Sequence, residues 1–319
     1  LGWIPAGGFV ALPQMAPMEV MEGETTVDRK ELPEATAMDK IIVAFAGPLF
    51  SVLLAVVCAF IISFVGRPVQ EAETSTIVGY VAADSPASKA DIRPGDIIEE
   101  VDGNAVTKFS GIGSTSIKWQ IITSTNDVIN IKLKRGEEIL NKEVLAVRRE
   151  TKVYQRESLK QINVYPLQTA FVGYVMPGSP AEEAGIQVND IIETVNGDKI
   201  YNPAIISDKV RESDGQPLEF SVLRGDKKMA ISVTPARPSQ HPEKEPPLML
   251  GVRWDPSGIS TIAYPGPVEQ MKSAVNTMAN TLGALFNKNS DIKPQHLSGP
   301  ANIMRMYYML FESENGWRL

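Results

Sequence analysis

Hydrophobic and polar positions are patterned in three ways along this chain, and each pattern predicts a different kind of element. From Ile41 to Gly66 (IIVAFAGPLFSVLLAVVCAFIISFVG) 26 residues pass without a charge, with Asp39 and Lys40 before the run and Arg67 after it. At about 1.5 Å per residue this is roughly 39 Å of helix, more than the ~30 Å hydrocarbon core of a bilayer. The expectation is a transmembrane helix over 41–66; a buried core helix is the alternative. Gly47-Pro48 lies in its early turns, where a kink is tolerated if neighbouring groups satisfy the freed carbonyl. Arg29, Lys30 and Lys40 precede the run and only Arg67 follows closely, which places the N-terminal side in the cytoplasm.

The second pattern is a repeat of short apolar pieces. Residues 78–106 (VGYVAADSPASKADIRPGDIIEEVDGNAV) align without gaps on 172–200 (VGYVMPGSPAEEAGIQVNDIIETVNGDKI), with 15 of 29 positions identical. In each copy a β-rich VGYV leads into Ser-Pro-Ala, where Ser85 or Ser179 suits a helix cap and the following proline its first turn. The short helix ends at Asp91 or Gly185, positions that call for a left-handed residue. An apolar strand then runs into Asp102-Gly103 or Asn196-Gly197, dipeptides of tight hairpins. Helix candidates follow at 112–123 and 203–212, then paired strands around Arg135-Gly136 and Arg224-Gly225.

The third pattern is helical. From Pro267 to Phe286 the apolar residues Val268, Met271, Val275, Met278, Leu282 and Leu285 recur at spacings of three and four. Such a stripe is usually core; a membrane-surface role is the alternative. Between the repeat and this helix, Pro235 to Pro247 is rich in proline and charge and reads as a linker.

Composition narrows the function classes. The 319 residues carry a net charge of −7 and no long basic block, which argues against nucleic acid as a partner. Cys58, the single cysteine, lies inside the apolar run, so no intrachain disulfide is available. The two histidines, His241 and His296, have no carboxylate at ligand spacing, so no metal site is expected within these residues.

The strand, turn and short-helix order of each copy resembles the PDZ domains of bacterial proteases. Such modules bind an extended peptide by adding it to a sheet edge beside a helix. Their terminal-carboxylate loop is usually apolar-Gly-apolar; Ile162-Asn163-Val164 has that form with asparagine in the left-handed position, and is assigned to the second copy. No such triplet precedes Val78, so the first copy lacks an evident carboxylate loop.

The flanks extend the resemblance. Ile4-Pro5-Ala6-Gly7-Gly8-Phe9-Val10, Ala46-Gly47-Pro48 opening the apolar run, and Leu297-Ser298-Gly299-Pro300 stand in the order found in the site-2 protease family, intramembrane zinc metalloproteases, particularly the regulator-of-sigma-E type with tandem PDZ domains. Phe9 stands for the family's tyrosine and Ser51 for an asparagine. The resemblance implies an α+β membrane protein fragment: a membrane-associated β-hairpin and loop over 1–40, a transmembrane helix over 41–66, PDZ-like domains over 68–150 and 155–237, and over 238–319 a linker, an amphipathic helix and the approach to another span. It implies Gly7, Gly8, Phe9 and Val10 as an edge that pairs with unwound substrate, and Ile162, Asn163 and Val164 as peptide-binding. Zn2+ belongs to the intact protein, its H-E-x-x-H and L-D-G motifs expected outside these residues; no catalytic residue and no bound metal are expected within them. The implied function is the substrate-handling part of a membrane-embedded zinc metalloendopeptidase that cleaves single-pass membrane proteins such as anti-sigma factors. The implied location is a bacterial inner membrane, with the PDZ-like domains on the periplasmic or outer side. A non-catalytic membrane-tethered PDZ adaptor is the alternative. A serine protease of the tandem-PDZ type ranks last, since no Ser-His-Asp set is available.

Overall fold

The computed structural model describes residues 36–148, 158–237 and 246–287, together with Ser290, Ile292 and Met304. The chain divides into two compact units, residues 1–65 with 264–271, and residues 66–263 with 272–319. The described part of the first unit is built on α1 (Ala37–Val65), 29 residues with a mean hydropathy of 2.7 over its most apolar window. This helix is long and apolar enough to cross a membrane, and its side chains are almost all exposed. It begins earlier than the uncharged run because Thr36 and Asp39 cap it. The Thr36 hydroxyl donates to Asp39 Oδ2 at 2.7 Å and accepts from the Asp39 N–H at 3.3 Å. Ser51, in the place of the resembled asparagine, donates to the Gly47 carbonyl at 3.1 Å. Near the helix end Ser63 donates to the Pro265 carbonyl at 2.8 Å, and the Gln270 amide donates to Ala59 O and Pro265 O, each at 2.9 Å.

The second unit holds the repeat. Its elements are β1 (Arg67–Gln70), α2 (Glu71–Thr74), β2 (Val78–Val81), α3 (Pro86–Lys89), β3 (Ile97–Val101), β4 (Asn104–Ala105), α4 (Ile117–Thr123), β5 (Val128–Arg135), β6 (Glu138–Leu145), β7 (Val164–Pro166), β8 (Ala170–Val175), α5 (Pro180–Glu183), β9 (Ile191–Val195), β10 (Asp198–Lys199), α6 (Pro203–Glu212), β11 (Leu218–Arg224), β12 (Lys227–Val233), β13 (Val252–Trp254) and β14 (Ser260–Ala263). The second copy forms a sheet in the order β12-β11-β9-β8-β13. The first copy reproduces it in pieces: β6-β5-β3 on one side, β2-β7 on the other, bridged at Ile77 and Ile97. β1 pairs antiparallel with β14. α7 (Pro267–Phe286) follows.

The local signals act as the residue types require. Ser85 and Ser179 accept from the N–H groups of Ser88 and Glu182, capping α3 and α5, with proline at the first helical position. Asp91 takes φ 58° where its counterpart Gly185 takes 88°. Arg93, Lys142 and Arg135 surround the Asp91 carboxylate, hold its pKa well below the usual range and offset the left-handed backbone. Each copy is also pinned by a buried carboxylate. Asp96 takes two bonds from Arg135 at 2.7 and 2.9 Å, and Asp190 takes two from Arg224, both at 2.7 Å.

Two expectations change. The helix of the first copy is Ile117–Thr123, shorter than the expected 112–123, because Ser116 caps it and the preceding residues form a loop that the second copy lacks. The modules also extend past 150 and 237. Ile162 and Val164 complete the core of the first copy and Leu250 that of the second, because each sheet needs a strand supplied from beyond its last hairpin. Of the segment read as a linker, residues 238–245 lie outside the described residues; Ala236 and Met249 exchange backbone bonds across it.

Candidate peptide-binding grooves

Each module ends by sending the chain back as a short strand beside its own long helix. In the first copy the strand is β7, which pairs with β2. In the second it is β13, which pairs with β8. Both are the outermost strands of their sheets, so each keeps one edge unpaired. That edge looks onto a groove. The first holds about 360 Å3 and is lined by Ile121 and Ile122 of α4 and by the chain from Ser158 to Tyr165. The second holds about 480 Å3 and is lined by Ile206, Val210 and Arg211 of α6 and by residues 247–254.

The loop leading into each strand has one geometry. Asn163 has φ 60° and Gly251 has φ 81°. The Ile162 and Asn163 carbonyls accept from the N–H groups of Ala87 and Ala82, both at 3.2 Å. The Leu250 and Gly251 carbonyls accept from Ala181 and Met176, at 2.9 and 2.8 Å. These donors are equivalent positions of the repeat. With the carbonyls occupied, the N–H groups of Ile162, Asn163, Leu250 and Gly251 have no backbone partner among the described residues. Successive N–H groups around a left-handed residue form a concavity suited to an anion such as a terminal carboxylate.

This arrangement corrects the placement of Ile162-Asn163-Val164. The triplet packs into the core of the first copy rather than the second, because Ala87 and Ala82 hold its carbonyls and β2 pairs with the strand it begins. The loop of the second copy is Leu250-Gly251-Val252, which sequence reasoning passed over although it has the full apolar-Gly-apolar form. Gly7, Gly8, Phe9 and Val10 lie outside the described residues, as do His241, His296 and Leu297-Ser298-Gly299-Pro300.

The junction between the modules is short and fully bonded. Leu167 N–H donates to Ile77 O and Gln168 N–H to Tyr201 O, both at 3.0 Å. The Glu71 carboxylate accepts both the N–H and the hydroxyl of Thr169 at 2.6 Å. Tyr80 of β2 donates to Asp208 of α6 at 2.8 Å; burial, then this hydrogen bond, push its pKa up to about 12. β2 and β7 approach so closely that a Cβ on Gly79 would lie 2.0 Å from the Pro166 oxygen. A cavity of about 590 Å3 at this junction, lined by Ile77, Leu167, Tyr201, Leu223 and Ile259 among others, is larger than either groove but has no unpaired strand edge with a helix opposite.

Among the described residues no three His, Cys, Asp or Glu side chains gather in a way that could hold an ion.

Fold and grooves together define a pair of PDZ domains in tandem, and the PDZ domain family matches residues 77–115 and 171–224. Over almost its full length the chain is similar to a putative zinc metalloprotease of Xylella fastidiosa (strain Temecula1 / ATCC 700964), with 26% identity across 99% of this chain and 70% of that protein. It is similar in the same way to protease RseP of Yersinia pestis, with 23% identity across 97% of this chain and 71% of that protein. Among solved structures, the PDZ domain of the SdrC-like protein from Listeria monocytogenes covers 28% of this chain and 90% of its own, at 16% identity and a TM-score of 0.24. The chain is thus similar, over nearly all of its length, to proteins named as RseP-type zinc metalloproteases, and it carries two matches to the PDZ domain family. It spans about 70% of the length of these two relatives.

Proposed function

We propose that this chain is the substrate-handling part of a membrane-embedded zinc metalloendopeptidase that cleaves single-pass membrane proteins, anti-sigma factors being one such class. The observation that carries this reading is the duplicated groove. Two unpaired strand edges, each led by a loop with free N–H groups and faced by an apolar helix wall, stand in one chain with a helix of membrane-crossing length. An extended peptide end adds to β7 or β13, its backbone completing the sheet and its carboxylate meeting the loop N–H groups.

Membrane contact is supported by both helices. The α1 surface is apolar all round. In α7 the partly or fully buried positions are Pro267, Gln270, Thr277, Asn280, Thr281, Ala284 and Leu285, while Val268, Met271, Val275, Met278, Leu282 and Phe286 are exposed. A helix in water turns its apolar stripe inward; one at a lipid surface turns it outward. In this reading α1 enters from the cytoplasmic side of a bacterial inner membrane, the PDZ pair stands on the periplasmic side, and the Gly7-Gly8-Phe9-Val10 edge meets unwound substrate.

Hydrolysis in this reading belongs to a zinc site whose ligands the 319 residues do not carry at the required spacing. The chain by itself is proposed to hold no stoichiometric zinc and to cut no peptide. Titration of the full chain in detergent with a set of C-terminal decapeptides tests the groove reading. Peptides with a free carboxylate are expected to bind about tenfold tighter than their amides, the gain of roughly one charge-assisted hydrogen bond. Binding indifferent to amidation would count against the carboxylate loops, and metal analysis returning one tightly held zinc per chain would overturn the division of labour.

A further inference from the structure

The corresponding outward position of the two ligand strands is filled by different chemistry. In the second groove Arg253 of β13 lies opposite Tyr174 of β8, its guanidinium 5.2 Å from the ring centre. In the first groove Tyr165 of β7 lies opposite Tyr80 of β2, with ring centroids 5.7 Å apart. Tyr80 and Tyr174 are the same position of the repeat, and Tyr165 and Arg253 each stand two residues after the left-handed loop residue. What differs is one residue, tyrosine against arginine.

Side chains alternate along a strand, and here Val164 is buried and Val252 half-buried while Tyr165 and Arg253 are exposed. A ligand strand added to the free edge places one of its own side chains on that outer face, directly beside Tyr165 or Arg253, as a cross-strand neighbour. Each groove is lined by two cations and no carboxylate, so what differs is the place of the cation, which only in the second groove stands on the ligand strand itself. The charged residues lining the second groove are Arg211 and Arg253, with no carboxylate in the lining, although the chain carries a net −7. Arg211 is paired with Asp208 of its own helix at 3.2 Å. Arg253 has no carboxylate partner among the described residues. The first groove is lined by Lys118 and Lys160, and Lys160 spends its ammonium on the Ser124 and Asn126 carbonyls, at 3.0 and 2.8 Å.

We propose that the two grooves select different ligands through this position: Arg253 makes the second prefer a peptide with an acidic side chain beside it, and Tyr165 makes the first prefer an apolar one. The proposal rests on the groove reading above and adds to it. A change at this outward position gives a duplicated module a second specificity while the backbone geometry of its loop is kept.

The test uses the full chain in detergent and decapeptides that share an apolar C-terminal residue and a free carboxylate, carrying Glu, Leu or Lys at one upstream position at a time. Hydrogen exchange at 252–254 and at 164–166 reports which strand each peptide covers. At one position, Glu is expected to protect β13 at about fivefold lower concentration than Lys, as a cross-strand charge pair allows, and the advantage shrinks as salt is raised. Leu is expected to be best for β7. Arg253→Glu inverts the Glu/Lys order at β13, and Arg253→Tyr gives β13 the preference of β7. Equal protection of β13 by Glu and Lys peptides, or a preference that survives Arg253→Glu, overturns the proposal while leaving the grooves in place. Peptides that protect neither strand overturn the groove reading and the proposal with it.

Discussion

At the scale of single residues, the two copies reach one loop geometry with different side chains, and the difference is measurable. Gly251 cannot accept a side chain. A Cβ there would stand 2.2 Å from the Ser179 Cβ, and its φ is already left-handed. Gly251→Ala is expected to cost about 1–3 kcal/mol in thermal or denaturant unfolding and to abolish binding at β13. Asn163→Gly keeps the same backbone and is expected to change stability by less than about 1 kcal/mol, with binding at β7 retained. Similar costs for both substitutions would show that the loops are not equivalent. Tyr80 supplies a pH signature. Its folded pKa, about 12, lies above the usual value of 10.0, so its contribution to stability is complete below about pH 10 and is lost as pH rises through 12. Ultraviolet titration should show one tyrosine ionising near 12 in the native chain, and Tyr80→Phe should remove that step; a native chain whose tyrosines all ionise near 10 contradicts the Tyr80–Asp208 joint.

Elements show which signals were legible and which were not. The uncharged run, the capping serines, the Asp-Gly and Asn-Gly hairpins and the helix over 203–212 were readable because each depends on neighbours in sequence. The ligand strands were not. β7 and β13 have three residues each, too few for a period, and each pairs with a strand far earlier in the chain. Ile162-Asn163-Val164 precedes the second copy closely, so proximity along the chain assigned it there, whereas pairing with β2 draws it back to the first. Leu250-Gly251-Val252 was masked by the proline-rich stretch before it. The helix α1 carries its own test in Cys58. If α1 spans a bilayer, a charged, impermeant maleimide should leave Cys58 unlabelled in sealed vesicles on either side and label it after denaturation in SDS. Rapid labelling in intact vesicles would place α1 in water.

Across the whole molecule, the junction decides how the duplicated grooves act. β7 passes through three bonded residues into β8, and Tyr80 of the first module holds the helix that walls the groove of the second. The two free strand edges are therefore held in one unit, so that in the proposed reading they meet a single extended substrate or two chain ends together. The most direct measurement is photo-crosslinking of the full chain with a carboxylate-ended decapeptide carrying one photoreactive side chain, read by mass spectrometry. Cross-links are expected within 117–123 and 162–166, and within 203–212 and 250–254. Cross-links concentrated instead at the junction cavity around Ile77, Leu167 and Ile259 would contradict the account.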